Sequence, residues 1–388
     1  MKSKLEYILK HNRFVLKIYQ IIFSYIFKFV GLFIKIDKRK IIFTSNSLRY
    51  NDSPKKIYEY LLKEYPDKFD FVWGVDQVFK YDISGKHREV KVDTLKYFLE
   101  CLSAKYWVTS VNIERGLHFK PKKTVFLNTW HGVAINKMGN AVNSRNDFDW
   151  SKVNFIPYSN DSEIEIYESS FNARESSMIA CGLPRNDELY NVNESLIGEI
   201  KHKLGLDVNK KIILYAPTWR DSDDFGSNYS IAPPINWKRW EEKLSDRYIV
   251  LLRTHPYTTK LMNVEFNDFV FNMSDYPLIN DLLIISDVLI SDYSSIFFDY
   301  CILERPIVCF GYDYELYKKI RGFYYDIDKE IPNGVMKTEE EVLYHINNID
   351  YIKESAITKK FKDKHVKYGG NATKICVEHL IKGKYDEN

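Results

Sequence analysis

What this chain lacks closes off several classes of function. It has no G-x-G-x-x-G and no Walker-type phosphate loop, so nicotinamide and P-loop chemistry have no support. No Asp-x-Asp or His/Asp grouping suggests a bound metal, and no cofactor is implied. The five cysteines (Cys101, Cys181, Cys301, Cys309, Cys376) form no C-x-x-C pair. Their odd number and scatter predict reduced, mostly buried thiols of a cytosolic enzyme. A net charge of +3, with basic residues spread along the chain, gives no basic arm, and nucleic acid is not an expected partner. Internal repeats and low-complexity tracts are also missing. The 29 Tyr and 24 Phe fall mostly on strand-like or helix-like runs, where core packing is their expected role.

The amino-terminal region comes close to a long hydrophobic run without being one. Phe14 to Ile36 is apolar, but Lys10, Lys17, Lys28 and Lys35 recur at steps of seven, eleven and seven residues. At about 100° per residue those steps return almost to the same angle, so the lysines share one stripe of a helix. Ser24 falls beside the stripe and Ile21 is its apolar exception. The remaining face carries Ile18, Ile22, Phe23, Tyr25, Ile26, Phe29, Val30 and Phe33. A spanning helix would bury Lys17 and Lys28, each costing roughly 2.5–3.5 kcal/mol at mid-bilayer. A cleaved signal would need an uninterrupted apolar core and a small-x-small site. The pattern predicts an amphipathic helix lying on an anionic membrane surface; packing on the protein's own body is the competing outcome.

After Asp37 short apolar runs alternate with helix-like stretches. Strands are predicted at 40–44, 69–75, 90–92, 106–109, 124–128, 155–158 and 178–180. A second series follows at 211–215, 248–253, 269–272, 288–291 and 306–310. Strands alternating with helices mean parallel sheets. The two series meet near 191–211, a polar helix and loop, and the expected division is 1–37, 38–200 and 201–388. The fold class is therefore α/β, with two Rossmann-like domains behind an amino-terminal amphipathic helix.

Four polar segments stand just past the ends of predicted strands, where ligands bind in open α/β sheets. They are Asn128-Thr-Trp-His-Gly132, Tyr215-Ala-Pro-Thr-Trp-Arg-Asp221, Leu252-Arg-Thr-His-Pro256 and Asp292-Tyr-Ser-Ser295. In the first, an imidazole with a pKa near neutrality can take a proton from an attacking hydroxyl or donate to a phosphate. Gly132 beside His131 lets backbone and substrate approach closely. Lys137, six residues on, can meet an anion or stay solvated. In the third, alternation puts Arg253 and His255 on one side of an extended segment, which suits a diphosphate. Ser294 and Ser295 can cap the following helix, whose N–H groups suit a phosphate. Asp299, one turn later, either binds a ribose hydroxyl or satisfies Arg305 or a backbone group.

Together the four segments resemble the CDP-glycerol glycerophosphotransferase family, whose signatures read roughly T-W-H-G, A-P-T-W/F-R-D, a basic residue before x-H-P, and D-Y-S-S. The resemblance runs from about Lys40 to about Thr373. It implies the GT-B architecture, two Rossmann-like domains facing a cleft, at the cytoplasmic face of the membrane. It further implies transfer of a polyol phosphate from CDP-glycerol or a similar CDP-polyol to a hydroxyl of a lipid-linked acceptor, with CMP leaving. His131 and His255 would be catalytic. Thr218, Arg220, Arg253, His255, Asp292, Ser294, Ser295 and Asp299 would bind the donor. Further contacts would come from Gly132, Lys137, Asp313 and Arg321, and from Asn51 and Asp52 in the loop after the first strand. A GT-B sugar-nucleotide glycosyltransferase is the alternative on the same fold.

Overall fold

A computed structural model describes residues 12–142, 148–218, 233–254 and 262–383. Arg220 and His255 lie outside the described residues, as do Trp219 and Asp221. The chain separates into two compact units. One is Met1–His131, Arg145–Arg185 and Asn371–Asn388; the other is Gly132–Ser144 and Asn186–Gly370. The division thus falls at Arg185 instead of near residue 200, and the stretch that follows His131 belongs with the second unit. Its apolar residues explain this: Val133 and Ile135 are buried in one core with Ile212, Leu214 and Leu289. An antiparallel bridge from Asn136 to Phe323 adds to the hold.

The first unit is built on five parallel strands, β1 (Asp37–Thr44), β2 (Asp70–Val75), β3 (Arg88–Lys91), β4 (Ala104–Thr109) and β5 (Val125–Asn128). Their order is β3-β2-β1-β4-β5. Ile41 of β1 sits opposite Phe71 on one side and Tyr106 on the other. Strands covered on both faces carry unbroken apolar runs, and Ile41 to Phe43 are fully buried accordingly. One face packs Phe43, Tyr58 and Trp73 against the carboxyl-terminal helix Ala372–Lys382, through Ala372, Cys376 and Val377. A short parallel pair, β6 (Ile156–Tyr158) and β7 (Met178–Ala180), follows β5. All five cysteines are buried.

Helices α1 (Arg13–Gly31), α2 (Asp52–Glu64) and α3 (Leu95–Ser103), with a further helix at Ser162–Phe171, also belong to this unit. Only one stripe of α1 touches it. Phe27 packs on Phe98 and Phe119, with ring centroids 4.6 and 5.6 Å away. The Ser24 hydroxyl accepts the backbone N–H of His118 at 3.0 Å. Leu102 comes so close to Gly31 that an added Cβ would lie 3.1 Å from it. The opposite face stays exposed: Phe14 by 73%, Phe29 by 62% and Phe33 by 76%. Packing on the protein's own body therefore uses the side bearing Ser24 and Phe27. It leaves the predicted apolar face uncovered among the described residues.

In the second unit six parallel strands run β8 (Lys211–Tyr215), β9 (Tyr248–Leu252), β10 (Val270–Asn272), β11 (Val288–Ser291), β12 (Ile307–Phe310) and β13 (Val335–Met336). They are arranged β10-β9-β8-β11-β12-β13. The edge strand β13, two residues long, has no counterpart among the predicted strands. Helices α4 (Trp237–Leu244), α5 (Ile279–Ile285), α6 (Ile296–Tyr300) and α7 (Tyr314–Ile320) flank this sheet. In each sheet the strand order reverses once, between β1 and β4 and between β8 and β11. That reversal opens a crevice at the carboxyl ends of the two strands, the usual ligand position in doubly wound folds.

Candidate active site

In the first unit the reversal point carries His131. The ends of β1 and β4 are joined there by the hydroxyls of Thr44 and Thr109, 2.6 Å apart. The next residue, Ser110, presents its carbonyl to His131 Nδ1 at 2.9 Å. A carbonyl only accepts, so Nδ1 carries the proton and the neutral ring keeps its lone pair on Nε2. No described residue bonds Nε2. Burial pushes the pKa of His131 below its ordinary value, aided by the charge of Arg185 and opposed by the Ser110 bond and by Asp52. The ring is thus held neutral and oriented, as a proton acceptor must be. Trp130, just before it, sits at φ 52°, a left-handed conformation costing on the order of 1–3 kcal/mol for a bulky residue. Trp130 N–H donates to Asn128 Oδ1 at 3.0 Å, and its ring lies between His131, Trp150 and Phe171. Trp130, the residue that aims the histidine, shares this left-handed backbone with Asp52 of the same cluster, at φ 60°.

Asp52 and Arg185 complete this cluster. Arg185 Nη1 donates to the His131 carbonyl at 2.8 Å and to Asp52 Oδ1 at 3.2 Å. The other carboxylate oxygen, Asp52 Oδ2, is buried without a hydrogen-bond partner among the described residues, and so is Oδ1 of the preceding residue, Asn51. Buried polar atoms are nearly always paired, so two open acceptors at one place mark a position that a ligand or water would fill. Of the loop candidates, Asp52 is therefore brought to His131 through Arg185, with Asn51 preceding it in the chain. Arg185 was missed by the sequence reading, although a signal was present: Cys181-Gly-Leu-Pro-Arg185 also follows a short strand, β7, and turns at Gly182 with φ 77°.

The second unit gathers most of the remaining candidates at the β8/β11 reversal. Asp292 is buried, and its Oδ1 accepts the backbone N–H of Thr218 at 2.8 Å and of Tyr293 at 2.7 Å. The Thr218 hydroxyl donates to the same oxygen. Asp292 and Thr218 thus lock the loop after β8 to the end of β11. Tyr293 donates from its hydroxyl to Asp313 Oδ1 at 2.9 Å, while its carbonyl accepts Asn136 Nδ2 at 2.9 Å. Asn136 Oδ1 remains buried and unpartnered among the described residues. Ser294 and Ser295 are half-buried at the start of α6. Ser294 Oγ accepts the Ile296 N–H at 3.3 Å, whereas Ser295 makes no capping bond.

The other candidates divide similarly. Arg253 Nη1 donates to the carbonyls of Met273 and Tyr276 at 3.0 and 2.5 Å, which fixes the loop after β10. Asp299 accepts Asn186 Nδ2 at 2.7 Å, while Arg305 caps the carbonyls of Ile284 and Ser286 instead. Lys137 belongs to this unit: its N–H donates to the Gly322 carbonyl at 3.1 Å, next to Arg321.

Fold and clusters define a class first: an α/β protein of two large parallel sheets and a short parallel pair, with its polar chemistry at the carboxyl ends where the strand order of each large sheet reverses. Residues 26–382 match the family described as CDP-glycerol:poly(glycerophosphate) glycerophosphotransferase, and the chain belongs to that family. It is 33% identical to the teichoic acid poly(glycerol phosphate) polymerase of Bacillus spizizenii, over 98% of this chain and 100% of that protein. Identity to the teichoic acid glycerol-phosphate transferase of Staphylococcus aureus is 32%, over 81% of this chain and 85% of that one. Among solved structures, the wall teichoic acid polymerase TagF superposes with a TM-score of 0.83 at 27% identity, over 96% of this chain and 97% of that one.

Proposed function

We propose that this protein transfers glycerol phosphate from CDP-glycerol to a hydroxyl of a membrane lipid-linked acceptor, releasing CMP, as a step of teichoic acid synthesis. Family membership across almost the whole chain carries the donor and the reaction type. The two sheets, each reversing once in strand order, support reading the units as Rossmann-like halves of a GT-B transferase. The acceptor oxygen attacks the β-phosphorus of the donor. The new P–O bond forms as the bond to the bridging oxygen breaks, and CMP departs with that oxygen. The acceptor's proton passes to His131 Nε2, the nitrogen that the Ser110 bond leaves as the lone-pair side. Arg253, the half-buried hydroxyls of Ser294 and Ser295, and His255 and Arg220 hold the diphosphate. Such transfer depends mainly on positioning and electrostatics.

The uncovered apolar face of α1 supports a peripheral position on the cytoplasmic membrane surface. The decisive assay for the reaction is incubation with CDP-glycerol and, separately, with UDP-sugars. CMP release from the first alone is expected, and UDP release from the second would favour the sugar-transfer alternative.

A further inference from the structure

Where α1 ends, the first unit holds a cavity of about 930 Å³, and eight of the sixteen residues lining it are lysines. No acidic residue lines it among the described ones. Lys28 comes from the stripe of α1, Lys35 from the segment just after the helix, and Lys105, Lys120, Lys122, Lys123 and Lys152 from the body of the unit. The apolar part of the lining includes Ile36, Leu102 and Phe119.

So many cations around one concavity repel each other unless an anion joins them. Lys120 registers this: its pKa is pushed down to about 8, first by burial and then by the charges of Lys152, Arg174 and Lys105 against the pull of Glu114. Glu114, which accepts the N–H groups of Phe119 and Lys120, offsets part of this charge but does not line the cavity. Apart from Lys105, whose ammonium donates to the Lys123 carbonyl, none of these lysines forms an ion pair among the described residues.

We propose that this cavity seats the phosphate-bearing headgroup of an anionic phospholipid of the bilayer on which α1 lies. Two observations select a lipid over a soluble anion. The cavity is bounded by the carboxyl-terminal end of α1, whose neighbouring Phe29, Leu32 and Phe33 are exposed apolar residues suited to the acyl layer. The lysine stripe flanks that apolar face, at the height where headgroups meet tails. The proposal rests on the membrane-facing reading of α1 and is independent of the reaction at His131.

The test uses the full chain in co-sedimentation with vesicles of phosphatidylcholine alone and of phosphatidylcholine mixed with phosphatidylglycerol. Each basic residue near an anionic surface changes partitioning about five-fold. The combined variant Lys35→Gln, Lys122→Gln, Lys123→Gln and Lys152→Gln should therefore lose its preference for the mixed vesicles by roughly a hundred-fold or more at low salt. A control variant, Lys329→Gln with Lys353→Gln, Lys359→Gln and Lys318→Gln, removes equal charge from the other unit and should keep the preference. Removing mutually repelling exposed lysines should leave the thermal unfolding midpoint unchanged or higher, which guards against misfolding. An unchanged preference in the cavity variant, or an equal loss in the control, overturns the proposal. Release of the wild type from mixed vesicles by inorganic pyrophosphate, at an ionic strength where sodium chloride does not release it, overturns the lipid assignment in favour of a soluble anion. Turnover of CDP-glycerol with a detergent-dispersed acceptor tests the transferase reading separately, since it needs no bilayer.

Discussion

The two units treat their polar residues differently at equivalent places. At the first reversal point two polar atoms are left open among the described residues: Nε2 of His131 is unbonded, and Oδ2 of Asp52 is buried without a partner. At the second, the motif carboxylates hold the fold: Asp292 gathers Thr218 and Tyr293, Asp313 takes the Tyr293 hydroxyl, and Asp299 takes Asn186. There the accessible groups are the hydroxyls of Ser294 and Ser295. The lesson is that one family signature mixes two kinds of residue. Some are left open towards a ligand, as the proposed function requires, and others build the loop that presents them.

That contrast is broken most severely at His131. His131→Ala should cut turnover by roughly 10²–10⁴ while donor affinity changes little. The wild-type pH profile should rise with pH along a limb lying below the ordinary imidazole value. Burial lowers the pKa of His131, so the neutral base persists to more acidic pH and is lost only as pH falls through the lowered value. The limb should vanish in the variant. A limb above the ordinary histidine range, or one kept in His131→Ala, would place the base elsewhere.

Asp292 should behave in the opposite way. Asp292→Ala strands the buried N–H groups of Thr218 and Tyr293, at about 1–3 kcal/mol for each unsatisfied group. A loss of roughly 2–5 kcal/mol in unfolding free energy should accompany any loss of donor binding. Denaturant titration beside calorimetry checks this. Full stability with abolished donor binding would mean that Asp292 meets the donor directly.

Arg185 tests how far positioning extends in the first unit. Arg185→Lys keeps the charge but replaces the rigid guanidinium, whose Nη1 reaches both Asp52 and the His131 carbonyl, with a shorter and more mobile ammonium. Turnover should drop on the order of ten-fold with KM for the donor nearly unchanged, since a one-ångström misplacement can cost even more. Equal effects on kcat and KM would argue for substrate contact instead.

Much of this arrangement was legible in the sequence, for a physical reason. Parallel strands buried on both faces must be apolar throughout, so runs such as Ile212-Ile-Leu214 and Val288-Leu-Ile290 announce themselves. The two-residue β13 is too short to show a period. The crossover of Gly132–Ser144 was equally hidden, because Val133 and Ile135 show that they are buried without showing in which core. His131 and the Asp292 segment were legible as strand-end motifs. Their division of labour was not, because a carboxylate that binds a ligand and one that binds a neighbouring N–H look alike in one dimension. Arg185 contacts Asp52 across 133 positions of chain, a pairing that no local pattern encodes.

The smallest expected effect separates the two serines at the start of α6. Ser294 Oγ accepts the Ile296 N–H at 3.3 Å, so Ser294→Ala removes a cap and should cost about 0.5–2 kcal/mol of stability. Ser295 makes no capping bond although it occupies the cap position. The residue is half-buried, and no described residue bonds its hydroxyl. Ser295→Ala should therefore leave stability within about 0.5 kcal/mol of the parent. Loss of a hydrogen bond to a charged diphosphate should still weaken donor binding by about 1.5–3 kcal/mol. Thermal unfolding and calorimetry with CDP-glycerol on both variants decide the matter. If Ser295→Ala binds the donor as tightly as the parent, the second serine serves neither fold nor ligand. The donor's contacts at α6 would then reduce to Ser294 and the helix N–H groups.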